Sequence, residues 1–175
     1  MRWLVDGYNV IRRAPELASR ERESLEAGRR ALCALLSDVA RHSPDTFTVV
    51  FDGVETGGPT AGGAGVTVIF SSARESADHV LAKMAREGGA VVSNDREVGR
   101  LAERAGAIVV TTDQFLGRIE RARHLPHVDA TGEESGKDED DEGTRSPRKT
   151  GNPRRLSKKE RAARRALGRL DPGRF

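Results

Sequence analysis

The sequence predicts an α/β fold: a doubly wound, mainly parallel five-stranded sheet flanked by helices, followed by a basic helical C-terminal tail. Five short apolar runs predict the sheet: Trp3–Val5, Phe47–Phe51, Val66–Phe70, Ala90–Val92 and Ala107–Val110. Each is near-continuous rather than alternating in polarity, the pattern of strands buried on both faces. Stretches with helical spacing separate them, as in a parallel sheet covered by helices on both sides.

Taken in order, the first two runs are joined by a helix over about Arg22–His42, with Leu25, Leu32, Leu35, Leu36 and Val39 along one stripe. Thr56–Gly65 holds five glycines and one proline and reads as a flexible flap. It lacks the Lys-Ser/Thr ending of a phosphate-binding loop. Further helices are expected over Ser76–Arg86, Arg96–Arg104 and Asp113–Arg123, which closes a domain of residues 1–127. Residues 128–150 are too poor in apolar side chains to offset chain entropy and read as a disordered linker. In the tail, residues 151–175, Ser157 and Glu160 have capping-box spacing. Ala163, Ala166, Leu167 and Leu170 follow at helical spacing among arginines, giving a short basic amphipathic helix.

Charge is segregated along the chain. Residues 1–132 carry 17 bases and 18 acids, residues 133–142 carry seven acids and one base, and residues 143–175 carry twelve bases and two acids. The basic character therefore belongs to the tail, which suits nucleic acid or a ribosome surface; a solvated solubility tail is the plainer reading. The single Cys33 has no disulfide partner within the chain, and no leader or long apolar span is evident. The expected setting is the reducing cytoplasm, with no membrane role.

In a doubly wound sheet, functional side chains gather beyond the carboxyl ends of the strands, where the strand order reverses. Asp6 ends the first run, Asp52 the second, and Asp95 follows the fourth through Ser93 and Asn94, while Asp78 opens the helix after the third. Each alone has an ordinary explanation as a turn residue or helix cap. Four carboxylates on one edge repel one another unless a cation neutralises them. A hard divalent ion, Mg²⁺ or Mn²⁺, is the natural partner, and such a site hydrolyses phosphodiesters without a covalent protein nucleophile. Cys33 reads as core filler, and His42, His79, His124 and His127 show no zinc-ligand pairing. His79 faces either solvent or the site beside Asp78; Asp113 is either a helix cap or a further acid at the rim.

Together the motifs resemble the YacP-like branch of NYN-domain proteins, relatives of PIN-domain nucleases. The resemblance lies in Asp6-Gly7-Tyr8-Asn9-Val10-Ile11, Val50-Phe51-Asp52-Gly53, Phe70-Ser71 to Ala77-Asp78, and Val92-Ser93-Asn94-Asp95-Arg96-Glu97, where Asn94 stands at a position commonly serine. The closing Gly151-Asn152-Pro153-Arg154-Arg155-Leu156-Ser157-Lys158-Lys159-Glu160-Arg161 is similar to the basic tail of that branch. The resemblance implies a PIN-like sheet and a metal-dependent endoribonuclease, in a branch that includes ribosome-associated A-site endoribonucleases cutting messenger RNA. It implies Asp6, Asp78 and Asp95 as metal ligands, with Asn9 and Asp52 as supporting catalytic residues. Arg96 and the tail residues Arg154, Arg155, Lys158, Lys159, Arg161, Arg164 and Arg165 are the candidate RNA contacts. The competing function is a non-catalytic RNA- or ribosome-binding factor on the same fold. A small-molecule phosphatase also uses strand-end acids but leaves the basic tail unexplained.

Overall fold

The computed structural model of the chain describes residues 1–53, 59–124 and 156–170. The sheet contains β1 (Arg2–Asp6), β2 (Thr46–Phe51), β3 (Thr60–Gly63), β4 (Val66–Phe70), β5 (Ala90–Val92) and β6 (Ile108–Val110) in the order β3-β4-β2-β1-β5-β6. All neighbours are parallel except β3, which runs antiparallel to β4. The chain starts at the centre, winds outward through β2 to β4, then crosses back over β1 to β5 and β6. The reversal of strand order therefore falls at β1.

Helices α1 (Gly7–Arg13), α2 (Pro15–Glu23), α3 (Leu25–Arg41), α4 (Ala77–Ala85), α5 (Arg96–Arg104), α6 (Thr112–His124) and α7 (Lys158–Leu167) complete the fold. Two apolar layers result. Trp3, Phe47, Phe51 and Phe115 join α1, α2, α3, α6 and α7 to one sheet face, and Leu4, Val50 and Val91 join α4 and α5 to the other. The linker read over residues 128–150 lies outside the described residues, as do Arg154 and Arg155.

Two sequence expectations are corrected. The sheet has six strands, because Thr60–Gly63, within the stretch read as a flap, forms β3. A Cβ at Gly63, whose φ is 127°, would overlap the Ser37 hydroxyl of α3; glycine lets this edge strand lie directly on the helix. Residues 54–58 of that stretch lie outside the described residues. The helix expected from Arg22 begins at Leu25, since Ser24 is extended and caps α3 through the Ala27 amide (3.0 Å); Arg22 belongs to α2, which opens on Pro15. Gly7 opens α1 directly after β1. A Cβ there would overlap the Phe51 ring, so glycine permits close contact between helix and sheet.

The C-terminal helix forms with the expected reciprocal cap: Glu160 N–H donates to Ser157 Oγ (3.2 Å) and Ser157 N–H to Glu160 Oε2 (2.7 Å). Ala163, Ala166 and Leu170 are buried in the same layer as Trp3 and Phe115. Arg118 Nε donates to the Leu167 carbonyl (3.1 Å), and Lys159 pairs with Glu103 of α5 (2.5 Å). Leu170→Ala should therefore cost about 2–5 kcal/mol, lowering the melting temperature by roughly 2–4 °C per kcal/mol for a chain of this length. A melting curve matching the wild type would show that this segment contributes nothing to the core.

Candidate active site

The centre of the site follows from strand register. Val5 pairs with Val49 on one side and Val92 on the other, so Asp6 emerges level with Ser93, and Asp52 emerges just beyond. Asp6 caps α1, its Oδ1 accepting from the Asn9 amide (3.2 Å) and its Oδ2 from Ser93 Oγ (2.9 Å). Ser93 Oγ also accepts from the Asp95 amide (3.0 Å), joining the two acidic residues through one buried hydroxyl. Asp95 caps α5 through Oδ1, which accepts from the amides of Glu97 (2.6 Å) and Val98 (3.3 Å). Asp52 Oδ1 accepts from Ser71 Oγ (2.7 Å), which in turn accepts from the Gly53 amide (3.1 Å). Asp78 lies in the first turn of α4, half-buried.

The acids share one electrostatic environment. Burial pushes the Asp78 carboxyl above its ordinary 3.8, and the charges of Asp95, Asp6, Glu97 and Asp52 push it further. Burial likewise raises Asp6, with Asp95 adding to the rise, against the Ser93 and Asn9 hydrogen bonds and the charge of Arg12. Asp113 behaves oppositely: hydrogen bonds from Arg13 and Asn94 hold its carboxyl below the ordinary value.

Asn9 fastens the β1–α1 corner to the neighbouring loops. Its Oδ1 accepts from the Asn94 amide (3.1 Å) and from the buried Thr112 Oγ1 (2.7 Å). Asn94 Oδ1 accepts from the Thr112 amide (2.9 Å), while its Nδ2 donates to Asp113 Oδ2 (3.0 Å). Asp113 Oδ1 is held by Arg13 Nε (2.5 Å). Asp113 thus sits at the rim in an ion pair, and His79 is engaged with Ser76 (2.9 Å) at the start of α4.

Sequence reasoning named the acids and Asn9 but missed Ser71, Ser93, Thr112 and Arg13. The legible signal was a small hydroxyl directly after an apolar strand, at Phe70-Ser71 and Val92-Ser93. Arg96, Lys158, Lys159, Arg161, Arg164 and Arg165 are exposed. The groove lined by Arg13, Leu17, Leu35, Asp38 and Leu116 contains none of the four acids.

Among the described residues, no three carboxylate, imidazole or thiolate groups approach closely enough to hold one ion together. The donor chemistry nevertheless fits Mg²⁺ or Mn²⁺. These ions prefer oxygen, and Mg²⁺ needs only one or two protein carboxylates, with waters and substrate phosphate completing the shell.

The sequence profile of the YacP-like NYN domain matches residues 3–163. A crystal structure of Rae1 (YacP) from Bacillus subtilis is similar, with 25% identity over 69% of this chain and 74% of its own, at a TM-score of 0.55. A tryptophan-to-leucine mutant of that protein gives a TM-score of 0.59 at 24% identity, over 75% and 86% of the two chains. No curated protein matches the chain. Among the described residues, no helix is long and apolar enough to cross a membrane. With strand-end acids set on a matching sheet and the family profile spanning almost its whole length, the chain belongs to the YacP-like NYN domain family, a nuclease-type domain.

Proposed function

We propose that the protein is a metal-dependent endoribonuclease that cleaves messenger RNA on the ribosome. The observation that carries the nuclease reading is the convergence of Asp6, Asp52, Asp78 and Asp95 at the reversal point of the sheet, where Asp78 feels the charges of the other three. Asp6, Asp78 and Asp95 would serve Mg²⁺ or Mn²⁺, one or two of their carboxylates binding it directly and the remainder through bound water. The bound ion supplies a polarised phosphoryl oxygen and a water of lowered pKa for in-line attack. Ser93 fixes the Asp6 carboxylate relative to the backbone of Asp95, and Asn9 keeps that loop against β1. Asp52, oriented by Ser71, supports the site from the end of β2. The messenger-RNA and ribosome assignment rests on the family resemblance and the exposed basic face of α7.

Asp6→Asn, Asp78→Asn and Asp95→Asn should each reduce Mn²⁺-dependent cleavage of a structured RNA by more than about 100-fold, beyond the 10–100-fold expected from a group one shell further out. Ser93→Ala should fall within that smaller range. Wild-type rates in the three Asn variants would refute the assignment. RNA binding without cleavage by the wild type, with metal present, would favour the non-catalytic binding factor. Cosedimentation with ribosomes, lost in the triple variant Arg161→Gln/Arg164→Gln/Arg165→Gln, which changes only exposed side chains of α7, checks the location.

The pKa directions also fix a pH dependence. Asp6 and Asp78 titrate higher in the folded chain than their ordinary 3.8, so the folded state binds protons more tightly than the unfolded one. Their contribution to stability is most favourable below the ordinary value and is lost as pH rises through the raised values. Metal-free Asp6→Asn should therefore melt at or above the wild type at neutral pH, with the difference shrinking as pH falls toward 4. A hundredfold excess of Mn²⁺ over its dissociation constant should stabilise wild type by about 2.7 kcal/mol and Asp6→Asn by much less. Equal Mn²⁺ shifts in the two proteins would place the ion elsewhere.

A further inference from the structure

The arginines of α5 form a stripe that the acidic site does not use. Arg96, Arg100 and Arg104 recur every fourth residue and are all exposed, while Val98 and Ala102 turn the other side of the helix into the core. None of the three arginines forms an ion pair among the described residues. By contrast, Arg12, Arg13, Arg20, Arg30 and Arg41 on α1–α3 each meet a carboxylate. Of the two acids on α5, Glu97 adds its charge to the field on Asp78, and Glu103 is engaged by Lys159. That ion pair brings the first turn of α7, with Lys158 and Lys159, against the last turn of α5. The other end of the stripe, Arg96, directly follows Asp95.

We infer that Arg96, Arg100 and Arg104 of α5, continued by Lys158 of α7, form a track for the phosphates of single-stranded RNA leading to the active site. The track deepens the nuclease reading and rests on it for its direction. Eight residues of helix span about 12 Å, so the three arginine positions lie about 6 Å apart along the axis, a spacing that long side chains can match to successive phosphates of one strand. Guanidinium groups without acid partners keep their charge available to a polyanion. Each phosphate contact on a single strand releases counterions and adds about −0.7 to the log–log salt slope of binding.

The test is a salt titration of a short unstructured RNA in EDTA, so that binding is read without cleavage. Arg100→Gln/Arg104→Gln should flatten the slope by about 1.4 and weaken binding at low salt. Arg20→Gln/Arg22→Gln on α2, across the sheet, makes the same change in net charge and should leave the slope at its wild-type value. Thermal melting of both variants, expected within about 0.5 kcal/mol of wild type, confirms that each is folded. An unchanged slope in the α5 variant, or an equal loss in both variants, overturns the track. Because cleavage is measured separately with Mn²⁺, the two readings fail independently. Wild type that binds along α5 but never cuts would leave the track and remove the nuclease, and a cutting protein whose slope ignores α5 would do the reverse.

Discussion

The pairing of β1 with β2 on one side and β5 on the other is the constraint on which the rest of the structure depends. It places Asp6 at the middle of the sheet edge, level with Ser93 and two residues short of Asp52. With both neighbours parallel, all three strands end at the same edge, and the loops that follow them converge there. A residue inserted into β5 would shift Ser93 away from Asp6, detaching Asp95 from the Asp6 carboxylate as well. The site is in this sense a property of strand register more than of any one loop.

That arrangement concentrates negative charge, and magnitudes show why local structure alone does not neutralise it. Asp6 and Asp95 both cap helices, where the partial positive charge of the first turn stabilises an anion by about 0.3–1 kcal/mol. Carboxylates brought to one edge also repel one another, through a medium of lower dielectric than water. Caps and hydroxyls orient these acids without offsetting the cost of charge here: burial displaces the Asp6 carboxyl upward despite bonds from Ser93 and Asn9, and the charge of Asp95 adds to the rise. Asp113 marks the contrast: with Arg13 at its side it is satisfied as it stands. Capping a helix and belonging to an acidic centre are thus compatible roles for one residue, because the cap uses Asp95 Oδ1 alone.

The parallel strands and the acids were legible because buried parallel strands leave unbroken apolar runs and the acids stand directly after them or open the next helix. β3 was not legible. Thr60–Gly63 carries almost no apolar side chain, and its place in the sheet comes from glycines that admit close approach to α3, a tertiary contact with no local pattern. The break between α2 and α3 was hidden for a related reason, since a single extended Ser24 interrupts an otherwise helix-compatible sequence. The bridging hydroxyls of Ser71 and Ser93 escaped notice because serine after a strand is common, and only pairing between strands distant in sequence reveals their partners.

The C-terminal helix shows how packing changes the meaning of a charge pattern. Its capping box and basic wheel predict a helix, and read alone they also suit a free tether. Ala163 and Ala166 are small enough to let the helix lie close against β6 and α6, and Leu170 anchors its far end in the layer containing Trp3 and Phe115. The backbone that carries Lys158, Arg161 and Arg165 is therefore already ordered when a partner arrives. A flexible tail would have to order each of those residues on binding, at about 1–2 kcal/mol of backbone entropy apiece, comparable to what a single charged contact contributes. Docking removes most of that cost and fixes the orientation of the basic face relative to α5, which turns a composition bias into a surface with a defined direction.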